Sequence, residues 1–194
     1  MYTERANLII GFHGCDESVR DNVINGRATL SKSENRYDWL GNGIYFWEYN
    51  FKRALQFAKE KKQRGEIDKP SVLGAIICLN HCLDLIDSDA INIVKTMHDV
   101  LKESMEINGL QLPANKNKNG DRDFIFRELD CFVIEGVHKH RKEKKFSPFD
   151  SVRGVFWEGK EIYDNAGFKE KNHIQLCIRE PEKCIKGYFK PLIK

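Results

Sequence analysis

The chain has 194 residues, the size of one domain with room for an insertion, and it is long enough to bury a substantial core. Hydrophobic residues at 41% against 31% charged exclude a disordered chain, and a net charge of +3 from 32 basic and 29 acidic side chains excludes a design dominated by polyanion binding, although a nucleic-acid partner remains permitted. No run reaches the roughly 18 to 20 apolar residues that cross a bilayer, and Met1-Tyr2-Thr3-Glu4-Arg5-Ala6 lacks the basic-then-apolar pattern of a signal peptide, so a cytoplasmic protein without a membrane partner is expected.

Residues 7–13 read as an apolar strand that ends at Gly14, and Cys15-Asp16-Glu17-Ser18 offers capping chemistry for a short helix to about 24, stopped by Asn25-Gly26. Residues 27–40 are largely polar and show no period, which predicts a loop. It leads into Gly41-Asn42-Gly43-Ile44-Tyr45-Phe46-Trp47, two glycines followed by a short apolar strand. Asn50 then caps a helix over 50–64, whose Phe51, Ala54, Leu55 and Ala58 fall at i, i+3, i+4 and i+7 and form one inward stripe, with Gly65 closing it.

Residues 71–79 predict a second long strand, and Asp87-Ser88-Asp89 caps a helix that carries Val94, Met97, Leu101 and Met105 on one face. Residues 108–120, rich in Asn, Lys and Gly, predict a loop or lid, and 121–137 a helix carrying Ile125, Leu129, Phe132 and Val133. That helix ends in the basic run 138–145, which serves either as a solvated helix end whose cations suit the dipole or as a contact for phosphates. Strands at about 152–157, 173–179 and 184–189 complete the chain. Strands at both ends with helices between them predict a single α+β domain over 1–194, with a helical insertion over about 87–145, rather than a parallel βαβ array.

The six cysteines lie mostly inside apolar runs such as Ile76-Ile77-Cys78-Leu79, where a thiol acts as a small hydrophobe. The cluster Cys78, His81, Cys82 lacks a second ligand pair at zinc spacing, so no metal is expected.

Two clusters carry candidate chemistry. In the first, Gly11-Phe12-His13-Gly14-Cys15 delivers a histidine at a strand end followed at once by a glycine; His13 can donate to a hydroxyl, and Gly14 lets a backbone approach a flat ligand. In the second, Tyr45 on its strand and Phe57 on the next helix can sandwich a planar ring. Each has a structural alternative: a histidine that serves the fold, and two aromatics that fill the core.

In this order and spacing, His13-Gly14, the Gly-x-Gly-Ile-Tyr-Phe stretch at 41–46 and the aromatic-bearing helix at 50–64 resemble the ADP-ribosyltransferase superfamily, in the histidine-tyrosine-glutamate branch of diphtheria-type toxins and poly(ADP-ribose) polymerases. The resemblance covers about the first 80 residues and the last 45. It implies split antiparallel sheets with flanking helices, NAD as co-substrate, and transfer of ADP-ribose to a macromolecular acceptor, protein or nucleic acid, in a toxin-like or defence setting. It further implies that His13 holds the nicotinamide-side ribose, that the Gly14 backbone binds the carboxamide, and that Tyr45 and Phe57 stack on the nicotinamide ring.

The third family residue, a glutamate on a late strand, has no match. Alternation in His173-Ile174-Gln175-Leu176-Cys177-Ile178 puts Gln175 in its place, and a glutamine can hold a ribose hydroxyl but cannot act as a base. Three alternatives stay open: transfer of a single ADP-ribose, a different acid from among Glu48, Glu128 and Glu158, or a domain that binds NAD or ADP-ribose without catalysis. A related RNA 2'-phosphotransferase chemistry would need further basic residues in the cleft. Residues 158–172, with Tyr163, precede Gln175 as the substrate-recognition loop does in the family, or form a plain connection.

Overall fold

Two long strands form the spine of the fold. β1 (Glu4–Asp16) and β3 (Pro70–Asp84) pair antiparallel from Glu4↔His81 to Asp16↔Pro70. Both outrun the apolar stretches that predict them, because each flanking polar residue still finds a backbone partner across the ladder. The computed structural model describes residues 4–117 and 124–192.

β2 (Ile44–Glu48) pairs with β1 over two residues and with β7 (His173–Ile178) over four. β7 pairs with β6 (Ser151–Phe156), and β6 runs parallel to the end of β3, from Cys82↔Ser151 to Asp84↔Arg153. These five strands close a ring, and β8 (Ile185–Phe189) pairs with β3 as the sixth. The architecture is α+β. A parallel pair needs a long crossover, and the segment between β3 and β6 supplies it.

That crossover holds α3 (Ser88–Ile107), β4 (Asn115–Asn117), β5 (Phe124–Arg127) and α4 (Glu128–Glu143). The helix expected over 121–137 is corrected here. Residues 121–123 lie outside the described residues, Phe124–Arg127 pairs with Asn115–Asn117 as a strand, and the helix starts at Glu128. The side chain of Asn115 sets that start, since its Oδ1 accepts from the backbone N–H groups of Leu129 and Asp130. Asn115 lies in the stretch expected to be a loop.

The other helices begin where the capping residues predict. Asp16 caps α1 (Glu17–Ile24), Asn50 Oδ1 accepts from Arg53 N–H at the start of α2 (Phe51–Gln63), and Asp87 caps α3. A short α5 (Pro181–Cys184) precedes β8; proline at a first helical position is its signal in the sequence.

Alternation along the strands builds two cores. Ile44, Phe46, Ala75, Ile77, Leu176 and Ile178 pack together across the space the ring encloses. On the opposite face, Leu83, Val152 and Cys177 pack against Ala90 and Met97 of α3 and Val133, Ile134 and Val137 of α4, with Tyr45 at the edge. The insertion therefore covers the outer face of β7 and β6. Where α2 crosses β1, Trp47, Ala54 and Val72 form a third cluster.

Gly14 explains the last contact: a Cβ there would stand 2.3 Å from the carbonyl oxygen of Ala54. The close approach that this glycine permits is that of α2. Gly14→Ala is expected to cost about 2 kcal/mol or more, because the obstructing atom is backbone. A thermal melt should show a fall on the order of 5 °C; an unchanged midpoint would contradict the contact.

Among the described residues no helix is long and apolar enough to cross a membrane, and no group of three His, Cys, Asp or Glu converges as a metal site. Among the described residues no disulfide joins the cysteines.

Candidate functional site

The two candidate clusters meet where β1 and β2 part. Their pairing is confined to Gly11↔Glu48 and Phe12↔Trp47; past that point β1 stays with β3 and β2 stays with β7. His13 is the first residue beyond the last pair. Its Nδ1 lies 2.8 Å from the backbone oxygen of Tyr45, so the ring ties the two strands together at the fork. A carbonyl only accepts, so Nδ1 carries the proton, and burial lowers the pKa of the imidazole below its ordinary value and keeps it neutral. Nε2 is then left with a lone pair, the state suited to accepting from a hydroxyl.

The segment 27–35 enters the fork. Ser33 and Gly43 exchange backbone hydrogen bonds of 2.8 and 3.0 Å, and Leu30 packs against both the Cys15, Val23 and Leu73 cluster and the Phe46 cluster. No periodicity signals this, because one bridge and one anchoring leucine do the positioning.

His13 and Tyr45 leave opposite faces of the strands. Phe12 shares the outer face with Trp47, which places His13 on the side of Phe46, with ring centroids 5.7 Å apart, while Tyr45 faces outward with Trp47. Tyr45 holds the glycine turn: its hydroxyl donates to Gly41 O at 2.8 Å and accepts from Leu40 N–H at 3.1 Å. Burial holds the phenol well above its ordinary pKa. Gly41 has φ of 80°, and a Cβ on it would meet the Glu135 carboxylate at 2.4 Å. Glu135 accepts from Asn42 N–H at 2.8 Å and pairs with Arg179, which donates to Asn42 O at 3.0 Å. The turn is thus clasped from three sides. Glu135 and Arg179 lie 93 and 137 residues from Asn42, a distance at which sequence spacing carries no signal.

Gln175 shares the outer face with Tyr45, between Trp47 on β2 and Gly154 on β6. Its Oε1 accepts from Trp39 Nε1 at 2.6 Å, which leaves its amide N–H groups as donors. Phe57 packs on Trp47, with ring centroids 4.9 Å apart, and not on Tyr45; the two rings expected to sandwich a ligand belong to separate clusters. Arg127 stands over both Trp39 and Phe156, at 5.0 and 4.5 Å from the ring centroids. Trp39 and Arg127, like Glu135 and Arg179, are residues that the sequence does not single out.

The three alternative acids have different fates. Glu48 is held by Arg153 at 2.6 and 3.0 Å, and Glu158 by Arg53 at 2.8 Å and by Lys171 at 3.5 Å. Glu128 lines a cavity of about 400 Å³ between the turn and α4, together with Glu34, Arg36, Asn42, Phe132 and Glu135.

The segment 158–172 is a closed hairpin rather than a plain connection. Ile162 N–H donates to Phe168 O, Glu170 N–H to Lys160 O, and Lys171 N–H to Glu158 O. The ion pairs of Glu158 and Lys171 fix its base to α2. Ile162, Tyr163 and Phe168 are exposed at its tip. Beneath the base, Trp47 Nε1, Asn172 Oδ1 and His173 Nε2 are buried without a hydrogen-bond partner among the described residues. The basic run of 138–145 splits: His138 is half-buried with its pKa lowered to about 3 by burial and by Arg179, whereas 142–145 are exposed.

No protein-family model matches the chain, and no solved structure matches it. It is similar to an uncharacterised protein of Methanocaldococcus jannaschii, 24% identical over 188 residues that span 88% of this chain and 81% of that protein.

Proposed function

We propose that this chain binds NAD at the fork of β1 and β2 and transfers a single ADP-ribose to a macromolecular acceptor, protein or nucleic acid. The observation that carries the reading is His13 at the fork, neutral, with its Nδ1 proton committed to the Tyr45 carbonyl and its Nε2 lone pair uncommitted among the described residues. Such a group fixes a ribose hydroxyl without competing for charge. The His-Gly strand end, the Gly-x-Gly-Ile-Tyr-Phe stretch with its clasped turn and the aromatic-bearing α2 follow one another in the order on which the resemblance to the histidine-tyrosine-glutamate branch of ADP-ribosyltransferases rests.

In the reaction the bond from the ribose to the nicotinamide nitrogen breaks, and the electron pair leaves with nicotinamide. The acceptor nucleophile bonds the same carbon and gives up its proton. Positive charge grows on the ribose in between, so the site must orient the sugar and hold the developing cation. Gln175, on the outer face, has amide N–H groups that can donate to a hydroxyl but takes no proton, and the lack of a base there suits one transfer rather than chain growth. Glu128, on the cavity beside Asn42 and without an ion pair among the described residues, is the acid best placed to receive it.

Incubation of the pure protein with NAD, followed by measurement of nicotinamide release, tests the proposal. Wild-type protein should release nicotinamide, and His13→Ala should lower the rate by about a hundredfold or more while the fold is kept. Gln175→Glu should raise turnover. NAD binding without release under any condition would favour the non-catalytic module, which the engagement of Gln175 by Trp39 also accommodates; release that survives His13→Ala would overturn the site.

A further inference from the structure

Five buried side-chain atoms beneath the base of the 158–172 hairpin have no hydrogen-bond partner among the described residues: Trp47 Nε1, Arg53 Nε and Nη1, Asn172 Oδ1 and His173 Nε2. Among those residues only His138 Nε2 shares this state, so the unanswered groups are concentrated in one place. Arg53 stands over Trp47, its Cζ 5.7 Å from the ring centroid, and the Trp47 and His173 ring centroids lie 6.2 Å apart. Trp47, Arg53 and His173 are each more than nine-tenths buried. A buried polar group left unpartnered is costly, and a cluster of them calls for a partner. We propose that these atoms hold one internal water molecule, which ties the hairpin base to α2 and β2; the site does not depend on the NAD reading above.

The donors and acceptors select water. His173 Nδ1 lies 2.6 Å from the Lys171 carbonyl and so carries the ring proton, which leaves Nε2 able only to accept. Asn172 Oδ1 also accepts, while Trp47 Nε1–H and Arg53 Nε–H donate. A water molecule accepts from two groups and donates to two, one bond for each of these four atoms. The fifth, Arg53 Nη1, faces the Glu60 carboxylate at 3.8 Å, beyond hydrogen-bond length but near enough to pair in charge. A direct bond from Trp47 to His173 would answer only two of the five.

The charges exclude an ion. Arg53 and Lys171 are matched by Glu60 and Glu158 at 2.8 to 3.8 Å, and burial keeps His173 neutral, its pKa lowered to about 4. An anion would find no excess of positive charge and would face two acceptors, and a cation would face the N–H groups of Trp47 and Arg53. The four atoms come from β2, from α2 and from the junction of the hairpin with β7. The water therefore fixes β7 at its first residue, two positions before Gln175.

Water-to-protein cross-relaxation, measured by NMR at the indole N–H of Trp47 in the nitrogen-labelled full chain, tests this; Trp39→Phe and Trp157→Phe assign the resonance by elimination. Wild-type protein should show a cross-peak to water of opposite sign in the laboratory and rotating frames, the mark of a molecule held for longer than the protein takes to tumble. His173→Phe, which removes one acceptor, should lose that cross-peak and speed the exchange of the Trp47 indole proton with solvent, whereas His173→Gln, which keeps an acceptor, should retain it. A resolved Trp47 indole signal without the cross-peak overturns the proposal. So does a scalar coupling from its proton to His173 Nε2, which would show the two rings bonded directly. A cross-peak unchanged in folded His173→Phe overturns it as well, and if that variant does not fold, Asn172→Ala provides the same comparison.

Discussion

Arg153→Met is expected to cost about 3 to 5 kcal/mol of folding stability, among the largest effects of any single substitution in this chain. Arg153 enters the end of the ring from β6 and joins two carboxylates: Glu48 on β2, at 2.6 and 3.0 Å, and Asp84 on β3, at 3.2 Å. The three side chains are only 18%, 12% and 6% exposed. Water cannot screen what remains when the cation is removed, so two carboxylates would face each other in a poorly hydrated site. Because the three belong to β6, β2 and β3, the cluster joins strands that are not all neighbours in the ring. Chemical denaturation of Arg153→Met beside the triple variant with Glu48→Gln and Asp84→Asn would measure it. The triple variant should recover much of the loss; a deficit under about 1 kcal/mol for Arg153→Met alone would contradict the role assigned to the cluster.

The second large effect is on acid stability. His173 is 6% exposed, and its pKa is lowered to about 4, first by burial and then by Arg53 and Lys171, against the opposing hydrogen bond to the Lys171 carbonyl and the charge of Glu158. His138 is lowered to about 3, and His13 is lowered as well. In the unfolded chain each would titrate near about 6.5. Between that value and the folded value the unfolded state binds more protons, so each histidine contributes stability that is full above about pH 6.5 and lost as pH falls. The loss amounts to about 1.4 kcal/mol per pH unit per histidine, over a window that reaches down to about 4 for His173 and about 3 for His138. Thermal melts should therefore fall steeply from pH 7 to 5. In His173→Gln the slope should be shallower by one proton, since glutamine keeps a donor and cannot titrate. A flat profile over this range would show that these rings are not held neutral.

The parts of the fold legible in the sequence are those set by local chemistry. Asp16, Asn50 and Asp87 cap the helices that follow them, and alternation at 173–178 puts Gln175 and Cys177 on one face and Leu176 and Ile178 on the other, as they stand. The helix expected over 121–137 failed at its start for a nonlocal reason: Asn115, fourteen residues from Leu129, fixes the first turn, and Phe124–Arg127 gains more from pairing with β4 than from a further helical turn.

The candidate site follows the same division. His13 and Gln175 stood out because strand ends and alternation mark them. Trp39, Arg127, Glu135 and Arg179 did not, because their meaning lies in contacts between residues far apart in the sequence, 136 apart for Trp39 and Gln175 and 137 for Arg179 and Asn42. Phe57 looked like half of a ring sandwich with Tyr45, since a helix following a strand brings aromatics near one another; it packs on Trp47 because Trp47, two residues after Tyr45, is the outward residue that α2 crosses.

The claim that NAD is held at the fork through His13 is tested most directly by nitrogen NMR of the protein labelled at its histidines, titrated with NAD. The free protein should show neutral imidazoles with the proton on Nδ1 for both His13 and His173; the His13 signal is assigned by its loss in His13→Gln, and saturating NAD should shift the Nε2 resonance of that ring while the proton stays on Nδ1. A His13 signal unmoved by NAD that demonstrably binds elsewhere, or a ring that becomes doubly protonated on binding, would contradict the account.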